Sequence, residues 1–189
     1  MIKKLIKDIR DAISDHNRGL SERIFLIFSL ISEIAVIIAF TGDIMIGENI
    51  GEIIVIGTLM ISVPLITFSS LYRNRIKAAI KIIVTALVFV VVPGLFFFGG
   101  GVEGGGVLWI IFAYVYIGLV TTGTWRTVML VMVTILAGAC YYIEYTHPEY
   151  VVAHSREMFF VDSFISIVLV GLICFSMTWI QNRMFMDEN

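Results

Sequence analysis

The chain has 189 residues, of which 59% are hydrophobic and only 15% charged, and its net charge is −2. Soluble globular domains contain about 45–50% apolar and about 25% charged residues, so this composition excludes an ordinary soluble domain. A mean hydropathy of +0.96 indicates that the lipid bilayer is the solvent. Cys140 and Cys174 form neither a disulfide framework nor a CxxC motif, and we interpret them as buried thiols.

The first segment, residues 1–23, mixes charged residues with apolar residues at helical spacing. It predicts an amphipathic helix on the membrane surface, with lysines facing anionic headgroups, or alternatively a solvated helical lead-in. The apolar run that follows has no small-residue cleavage pattern, so it predicts a retained anchor rather than a secretory signal. The apolar positions are Ile2, Leu5, Ile6, Ile9 and Ile13, and the basic ones are Lys3, Lys4, Lys7 and Arg10.

The rest of the chain predicts an all-α, polytopic membrane protein with six transmembrane helices. A crossing needs about 20 mainly apolar residues, and the chain supplies six runs near that length. Pro64 should kink the second helix because it removes a backbone hydrogen bond. We expect a six-helix domain over 24–180 and the start of a cytoplasmic helical linker over 181–189. The predicted helices cover 24–41, 53–72, 78–98, 107–122, 127–143 and 163–180.

Positive charge predicts the orientation of these helices. With six crossings, all of the 13 lysines and arginines except Arg156 fall on one side of the membrane. Basic residues accumulate in short cytoplasmic loops, so both termini are predicted to be cytoplasmic. The glycine-rich hairpin after the third helix and a long polar connection over 144–162 then face outward. A shorter acidic turn over 42–52 connects the first two helices.

The hairpin over 96–109 reads FFFGGGVEGGGVLW, and its glycines permit a sharp reversal where a helix cannot continue. It is not predicted to bind phosphate, because it lacks the GK[ST] ending and follows a spanning helix rather than a strand. No Ser-His-Asp set, HExxH motif or pair of inward carboxylates appears, so the sequence predicts neither a catalytic site nor a cofactor. Nucleic acid is not an expected partner, since the basic N-terminal segment lies near lipid.

Candidate ligand-binding residues fall into two groups. Glu33, near the middle of the first helix, costs about 3 kcal/mol to insert, so it should fix helix packing or bind a ligand, proton or ion. The outer residues either line a small-molecule or lipid pocket between helices three to six, or form an interfacial belt and ordinary loops. No metal site is predicted, because His147 and His154 match no compact ligand spacing. The outer candidates are Glu103, Trp109, Tyr114, Tyr141, Tyr142, Glu144, His147 and His154.

Part of the chain resembles a known family. The glycine hairpin closing on Leu108 and Trp109, the turn at 123–126 and the sequence YTHPE at 145–149 are similar to the N-terminal six-helix membrane module of clostridial sensor proteins. The resemblance extends from Val88 to the C-terminus. It departs at Val107, where related modules often have proline. The resemblance implies a cytoplasmic histidine kinase, hybrid kinase or diguanylate cyclase output domain and a homodimer.

We therefore expect a membrane sensor domain that couples an outward or membrane-borne stimulus to a cytoplasmic enzyme through helix six. Neither proline nor glycine follows Ile180, so helix six should continue out of the bilayer toward an output domain, although a natural frayed terminus is the alternative. The fragment itself is not expected to be an enzyme. A small transporter or ligand carrier using Glu33 is the alternative function, and a membrane-embedded enzyme is a third.

Overall fold

A computed structural model describes residue 13 and residues 18–188, and every regular element in this part of the chain is helical. The all-α prediction is therefore confirmed. Most of the predicted lead-in, 1–23, lies outside the described residues. The main helices are α1 (Leu20–Ile46), α2 (Ile50–Tyr72), α3 (Ile76–Phe98), α4 (Gly106–Val120), α5 (Gly123–Thr146) and α6 (Arg156–Glu188), and short 3-10 turns lie at Gly101–Glu103 and Pro148–Tyr150.

Five of these helices, α1, α2, α3, α5 and α6, are long and apolar enough to cross a membrane. The helix α4 is equally apolar but has 15 residues, which at about 1.5 Å per residue gives a length of about 22 Å. Large apolar side chains project from the outside of the bundle, as Ile34, Leu65 and Phe175 do with 63%, 63% and 71% exposure. Such surfaces suit lipid, so the chain has the features of a membrane protein.

Two predicted loops are shorter than expected. The acidic turn over 42–52 is reduced to 47–49, where Gly47 adopts a φ of 79° at the end of α1 and the Asn49 side chain accepts from the Gly51 N–H. The polar connection over 144–162 is reduced to 147–155. The prediction was wrong because it assigned carboxylates to loops. Five of them lie instead on helices, namely Asp43, Glu52 and Glu144 in end turns and Glu157 and Asp162 in the first two turns of α6.

Successive helices run in opposite directions and produce two distinct ends. At the glycine end, defined by loop 47–49, hairpin 99–105 and connection 147–155, the Val152 N–H donates to the Phe97 carbonyl over 2.9 Å. At the basic end, Lys77 lies 3.8 Å from Glu22, and Lys81 lies over the Trp125 ring at 5.7 Å. The start of α1, the α2–α3 turn and the start of α5 therefore meet at the basic end.

The helix α3 supplies much of the buried core. Val84, Val88 and Val92 are fully buried along one side of it. A single π-helical turn, Leu87–Val91, interrupts α3 just before Pro93. Proline has no N–H and its ring crowds the carbonyl of the preceding turn, which accounts for a widened turn at this point. The predicted helix is thus continuous in length but irregular in the middle of the bundle.

Candidate functional site

The glycine end contains a group of buried ionisable side chains, here called the acidic cluster: Asp43, Glu48, Glu52, Asp162 and His154. Asp43 lies in the last turn of α1, Glu48 in the following loop and Glu52 in the first turn of α2. These three residues are only 9%, 6% and 5% exposed. Asp162, in the second turn of α6, lies within electrostatic range of Asp43 and Glu48, and His154 approaches from the α5–α6 connection. Residues from three helices and two connecting segments therefore converge on one buried polar site.

His154 and Glu48 form the closest pair in this cluster. The His154 Nε2 atom is 3.2 Å from Glu48 Oε2, and the two side chains are 6% and 2% exposed. One donor atom from each of Glu48, Glu52 and His154 lies within 4.8 Å of the other two. The three side chains therefore point toward a common point.

Apart from Asp162, every member of the cluster has at least one polar atom without a hydrogen-bond partner among the described residues. Both ring nitrogens of His154 and one oxygen each of Asp43 and Glu52 lack a hydrogen-bond partner there, and the Asn49 N–H approaches the Glu48 carboxylate without meeting hydrogen-bond geometry. The 3.2 Å contact between His154 and Glu48 is an ion-pair distance without hydrogen-bond alignment. Since most buried polar atoms in native proteins are hydrogen-bonded, so many unsatisfied atoms in one place require a cause.

Burial also changes the ionisation of Glu48, which lies in the loop between α1 and α2. Loss of solvent raises the pKa of its carboxyl group, a nearby His154 charge opposes the increase, and the Asp162 carboxylate adds to it. Carboxylates held together away from water resist simultaneous ionisation. The site therefore favours a proton or another positive charge between these groups.

The glycine hairpin closes over the acidic cluster, and its glycines are needed for this close approach. A Cβ atom on Gly100 would lie 3.0 Å from His154 Nδ1, and the φ of Gly100 is +86°, a value that L side chains rarely adopt. A Cβ on Gly99 would lie 3.0 Å from Glu52 Oε1 and would also meet the Leu95 carbonyl. The hairpin predicted as a turn thus also forms one wall of a polar site.

Two acidic residues bind the hairpin backbone directly. The Gly105 N–H donates to Asp162 Oδ2 over 2.7 Å, and the hydroxyl of Ser166 donates to Asp162 Oδ1 over 3.2 Å. The Val102 N–H donates to Glu144 Oε2 over 3.0 Å. The last turn of α5 and the second turn of α6 therefore hold the hairpin in place.

The predicted outer residues separate into different environments. Only Glu144 and His154 contact the hairpin or the cluster. His147 is exposed, lies 3.0 Å from Glu149 and stacks on Tyr150, so it is not part of the cluster. The pKa of Glu149 is lowered, first by a hydrogen bond from its own backbone N–H and then by a hydrogen bond with the His147 ring. Glu103 is exposed on the 3-10 turn of the hairpin.

The aromatic candidates do not form one pocket. The Tyr114 hydroxyl donates to Thr134 across α4 and α5 over 2.7 Å. The Tyr141 ring is 5.4 Å from the Phe96 ring, and Tyr142 is 68% exposed. Trp109 alone among them lines an internal cavity. None of the three tyrosines lines this cavity, and the predicted outer pocket between helices three to six stays a prediction.

The internal cavity has a volume of about 90 Å³ and lies between α1, α2, α3, α4 and α6. Trp109 and Phe112 line it from α4, and Leu87 and Val91 line it from the π turn of α3. Its few polar groups include Ser29, whose hydroxyl is already bonded to the Phe25 carbonyl at 2.9 Å, and Ser32, whose buried hydroxyl has no hydrogen-bond partner among the described residues. The cavity is thus suited to a small apolar group rather than to a charged ligand.

Glu33 faces a separate, smaller cavity of about 30 Å³ between α1 and α2, which Pro64 and Thr67 also line. One carboxyl oxygen of Glu33 and the Thr67 hydroxyl are buried without a hydrogen-bond partner among the described residues. Glu33 therefore belongs to neither the acidic cluster nor the apolar cavity.

Sequence reasoning missed Asp43, Glu48, Glu52 and Asp162 as members of a site. The available signal was their position: all four carboxylates, like His154, were predicted near the same side of the membrane. Charge on that side is almost exclusively negative, since Arg156 is its only basic residue by the predicted count. No family model matches the chain, and no curated protein or solved structure matches it.

Proposed function

We propose that this chain is the membrane-embedded input domain of a bacterial signalling protein, located in the cytoplasmic membrane. The glycine end faces outward, both termini are cytoplasmic, and α6 carries a change at the glycine end to a histidine kinase or diguanylate cyclase output domain. The sorting of lysine and arginine supports this orientation.

One observation carries the proposal, namely the position of α6. Its second turn holds the hairpin through the contact of Asp162 with Gly105, and the same helix continues without interruption to Glu188. With 33 residues it extends about 50 Å at about 1.5 Å per residue, which exceeds the hydrocarbon core of about 30 Å. A movement of the hairpin can therefore reach the opposite side of the bilayer through a single helix.

The short helix α4 provides the sixth crossing in this proposal. It begins at the glycine end and ends near the basic end, although its 15 residues are fewer than a full span requires. A short helix is accommodated by local thinning of the bilayer and by neighbouring longer helices. Six crossings keep both termini on the same side, and the distribution of basic residues supports this arrangement.

A stimulus acts by a population shift between two arrangements of the bundle. A ligand changes the equilibrium only as far as its affinities for the two arrangements differ. The apolar cavity beside the π turn of α3 offers a place for a small molecule or lipid chain, and π turns often mark functional sites. The output domains implied by the resemblance act as dimers, so a homodimer is part of the proposal.

The test fuses residues 1–189 to the catalytic domain of a diguanylate cyclase, with a series of linkers that differ by one residue so that each helical register is sampled. Asp162→Ala should change cyclic-di-GMP output by about fivefold or more in at least one register. Glu157→Ala, at an exposed position in the first turn of the same helix, is the matched control and should leave output unchanged. Equal outputs from Asp162→Ala and the parent in every register, with normal insertion, would contradict the proposal.

A small transporter or carrier remains the second candidate, because Glu33 has a buried oxygen without a hydrogen-bond partner among the described residues. The surrounding cavity of about 30 Å³ limits any cargo to a proton or small ion. Proteoliposomes with a pH-sensitive or ion-sensitive dye distinguish the two functions. Flux that Glu33→Gln abolishes would favour the carrier, whereas the input domain should be inert in this assay.

A further inference from the structure

We propose that the acidic cluster binds a divalent transition-metal cation through Glu48, Glu52 and His154. This site is a candidate for the stimulus of the input domain, but its binding chemistry does not depend on the proposed function. It rests on geometry, on burial and on the unsatisfied polar atoms of the three side chains.

The three side chains place their donor atoms close enough together to share one ion. The donor atoms of Glu48, Glu52 and His154 lie within 4.8 Å of one another. Ligands about 2.0–2.2 Å from a metal lie about 3.4 Å from each other in a tetrahedral site. Small side-chain rotations therefore suffice to bring all three donors onto one ion, and no backbone segment has to move.

The second observation is independent of the carboxylates. The imidazole of His154 is 94% buried, both of its ring nitrogens lack a hydrogen-bond partner among the described residues, and Nε2 points at Glu48. A structural histidine normally has a partner for at least one nitrogen when it is buried. An imidazole without an aligned hydrogen bond, held 3.2 Å from Glu48 and directed into a group of carboxylates, is the arrangement that a metal ligand has before the metal binds.

The negative charge of the acidic cluster also favours a divalent cation. Within the described residues, no lysine or arginine forms an ion pair with Asp43, Glu48, Glu52 or Asp162. A divalent cation would supply two charges and satisfy several orphaned atoms at once. Asp43 has a free oxygen that can bind the ion or a water molecule on it.

The donor set indicates the class of metal. Imidazole suits Zn²⁺, Fe²⁺ and similar ions, and carboxylates suit harder ions such as Mn²⁺ and Mg²⁺. The combination of one imidazole with two or more carboxylates, without a thiolate, therefore selects divalent ions such as Mn²⁺, Fe²⁺ or Zn²⁺. A site of nitrogen and oxygen donors binds Zn²⁺ more tightly than Mn²⁺.

The hairpin provides an outer layer for this site. Gly100 passes close to His154 Nδ1, and the neighbouring Asp162 is already committed to the Gly105 N–H and the Ser166 hydroxyl. Groups that surround metal ligands orient them and alter affinity. Occupation of the site would therefore be transmitted to hairpin 99–105 and, through Asp162, to α6.

The experiment uses the full chain without an affinity tag, purified in nanodiscs and stripped with a chelator. Zn²⁺ binding is measured by competition with a chromogenic chelator, and Mn²⁺ binding is measured by electron paramagnetic resonance. We expect one ion per chain, and pulsed resonance of bound Mn²⁺ should show coupling to an imidazole nitrogen. This second measurement uses the unmodified chain and does not depend on whether variants fold.

The variants are Glu48→Gln, Glu52→Gln and His154→Gln, which keep the approximate shape of each side chain. Each should weaken Zn²⁺ binding by about tenfold or more, since even residues that only support a ligand change affinity by about 10–100-fold. His147→Gln is the matched control, because His147 is exposed beside Glu149 and should leave affinity unchanged.

Two results would overturn the metal site. One is a stripped chain that takes up neither Zn²⁺ nor Mn²⁺. The other is metal uptake that shows no coupling to an imidazole nitrogen and that His147→Gln and His154→Gln reduce equally. Failure of metal binding would leave the reporter response to Asp162→Ala unaffected, so the two proposals fail separately.

Discussion

Gly105 and Asp162 are joined by a 2.7 Å hydrogen bond from a backbone N–H to a carboxylate, although they are 57 residues apart in the chain. This contact ties the hairpin between α3 and α4 to α6. A hydrogen bond to a charged acceptor is stronger than one between neutral groups. The Gly105–Asp162 contact therefore connects hairpin 99–105 directly to α6.

The first prediction concerns this connection. Asp162→Ala removes the acceptor for both Gly105 and Ser166, so amide hydrogen exchange in hairpin 99–106 should accelerate by about fivefold or more, corresponding to the loss of about 1 kcal/mol or more of local stability. Hydrogen exchange followed by mass spectrometry in nanodiscs measures it. Glu157→Ala should not change exchange in this peptide, and equal protection in Asp162→Ala would show that the contact does not hold the hairpin.

The second prediction concerns the space around Gly105. A Cβ there would meet the Ser166 hydroxyl and lie 2.7 Å from Asp162 Oδ2, so Gly105→Ala should destabilise the fold by about 1–3 kcal/mol. Gly118→Ala is the matched control, because nothing lies within 4 Å of its Cβ position in α4, and it should remain within about 1 kcal/mol of the parent. Unfolding followed by circular dichroism compares the two. A similar loss in both variants would contradict the close approach.

The third prediction concerns the apolar cavity. Trp109→Ala enlarges it, and the free energy of unfolding should fall by about 3 kcal/mol, the lower end for aromatic truncation, because Trp109 is only partly buried. Trp179→Ala removes a ring that is 55% exposed on α6 and should cost about 1 kcal/mol or less. Binding of a small apolar probe such as xenon should increase in Trp109→Ala alone. An unchanged capacity for xenon would show that the cavity does not extend to this side chain.

The fourth prediction concerns pH. Burial raises the pKa of Glu48 above its usual value of 4.5, so in metal-free protein the protonated form is favoured by folding. The resulting stability is fully present below pH 4.5 and is lost as the pH rises through the elevated pKa. Melting temperatures in chelator should thus be lower at pH 7.5 than at pH 5, and Glu48→Gln should reduce this difference. A difference of equal size in Glu48→Gln would show that Glu48 does not contribute to it.

The sequence predicted the helices better than the site. Apolar runs located the six main helices of the described residues, five of which are long and apolar enough to cross a membrane, and the glycines located the hairpin. Helix ends were less predictable, since α1 continues through Asp43 and α6 begins before Asp162. In the sequence, a charged residue in a buried helical turn interrupts an apolar run in the same way as a charged residue in a loop.

The acidic cluster was not predictable from local spacing. Glu48 and His154 are more than 100 residues apart in the chain, and their contact depends on how α2 and the α5–α6 connection pack. His147 and His154 appeared equivalent in the sequence, yet one is exposed and the other is almost fully buried. The fold distinguishes them, because it places His154 against Gly100 and Glu48 and leaves His147 beside Glu149.

The central claim is that the glycine end and the end of α6 lie on opposite sides of the membrane, with the glycine end outside. The direct measurement introduces Glu103→Cys or Asn182→Cys after replacing Cys140 and Cys174 with serine, and labels intact cells with a membrane-impermeant maleimide. The account predicts that position 103 is labelled in intact cells and that position 182 is labelled only after permeabilisation. Labelling of position 182 in intact cells, or protection of position 103, would contradict it.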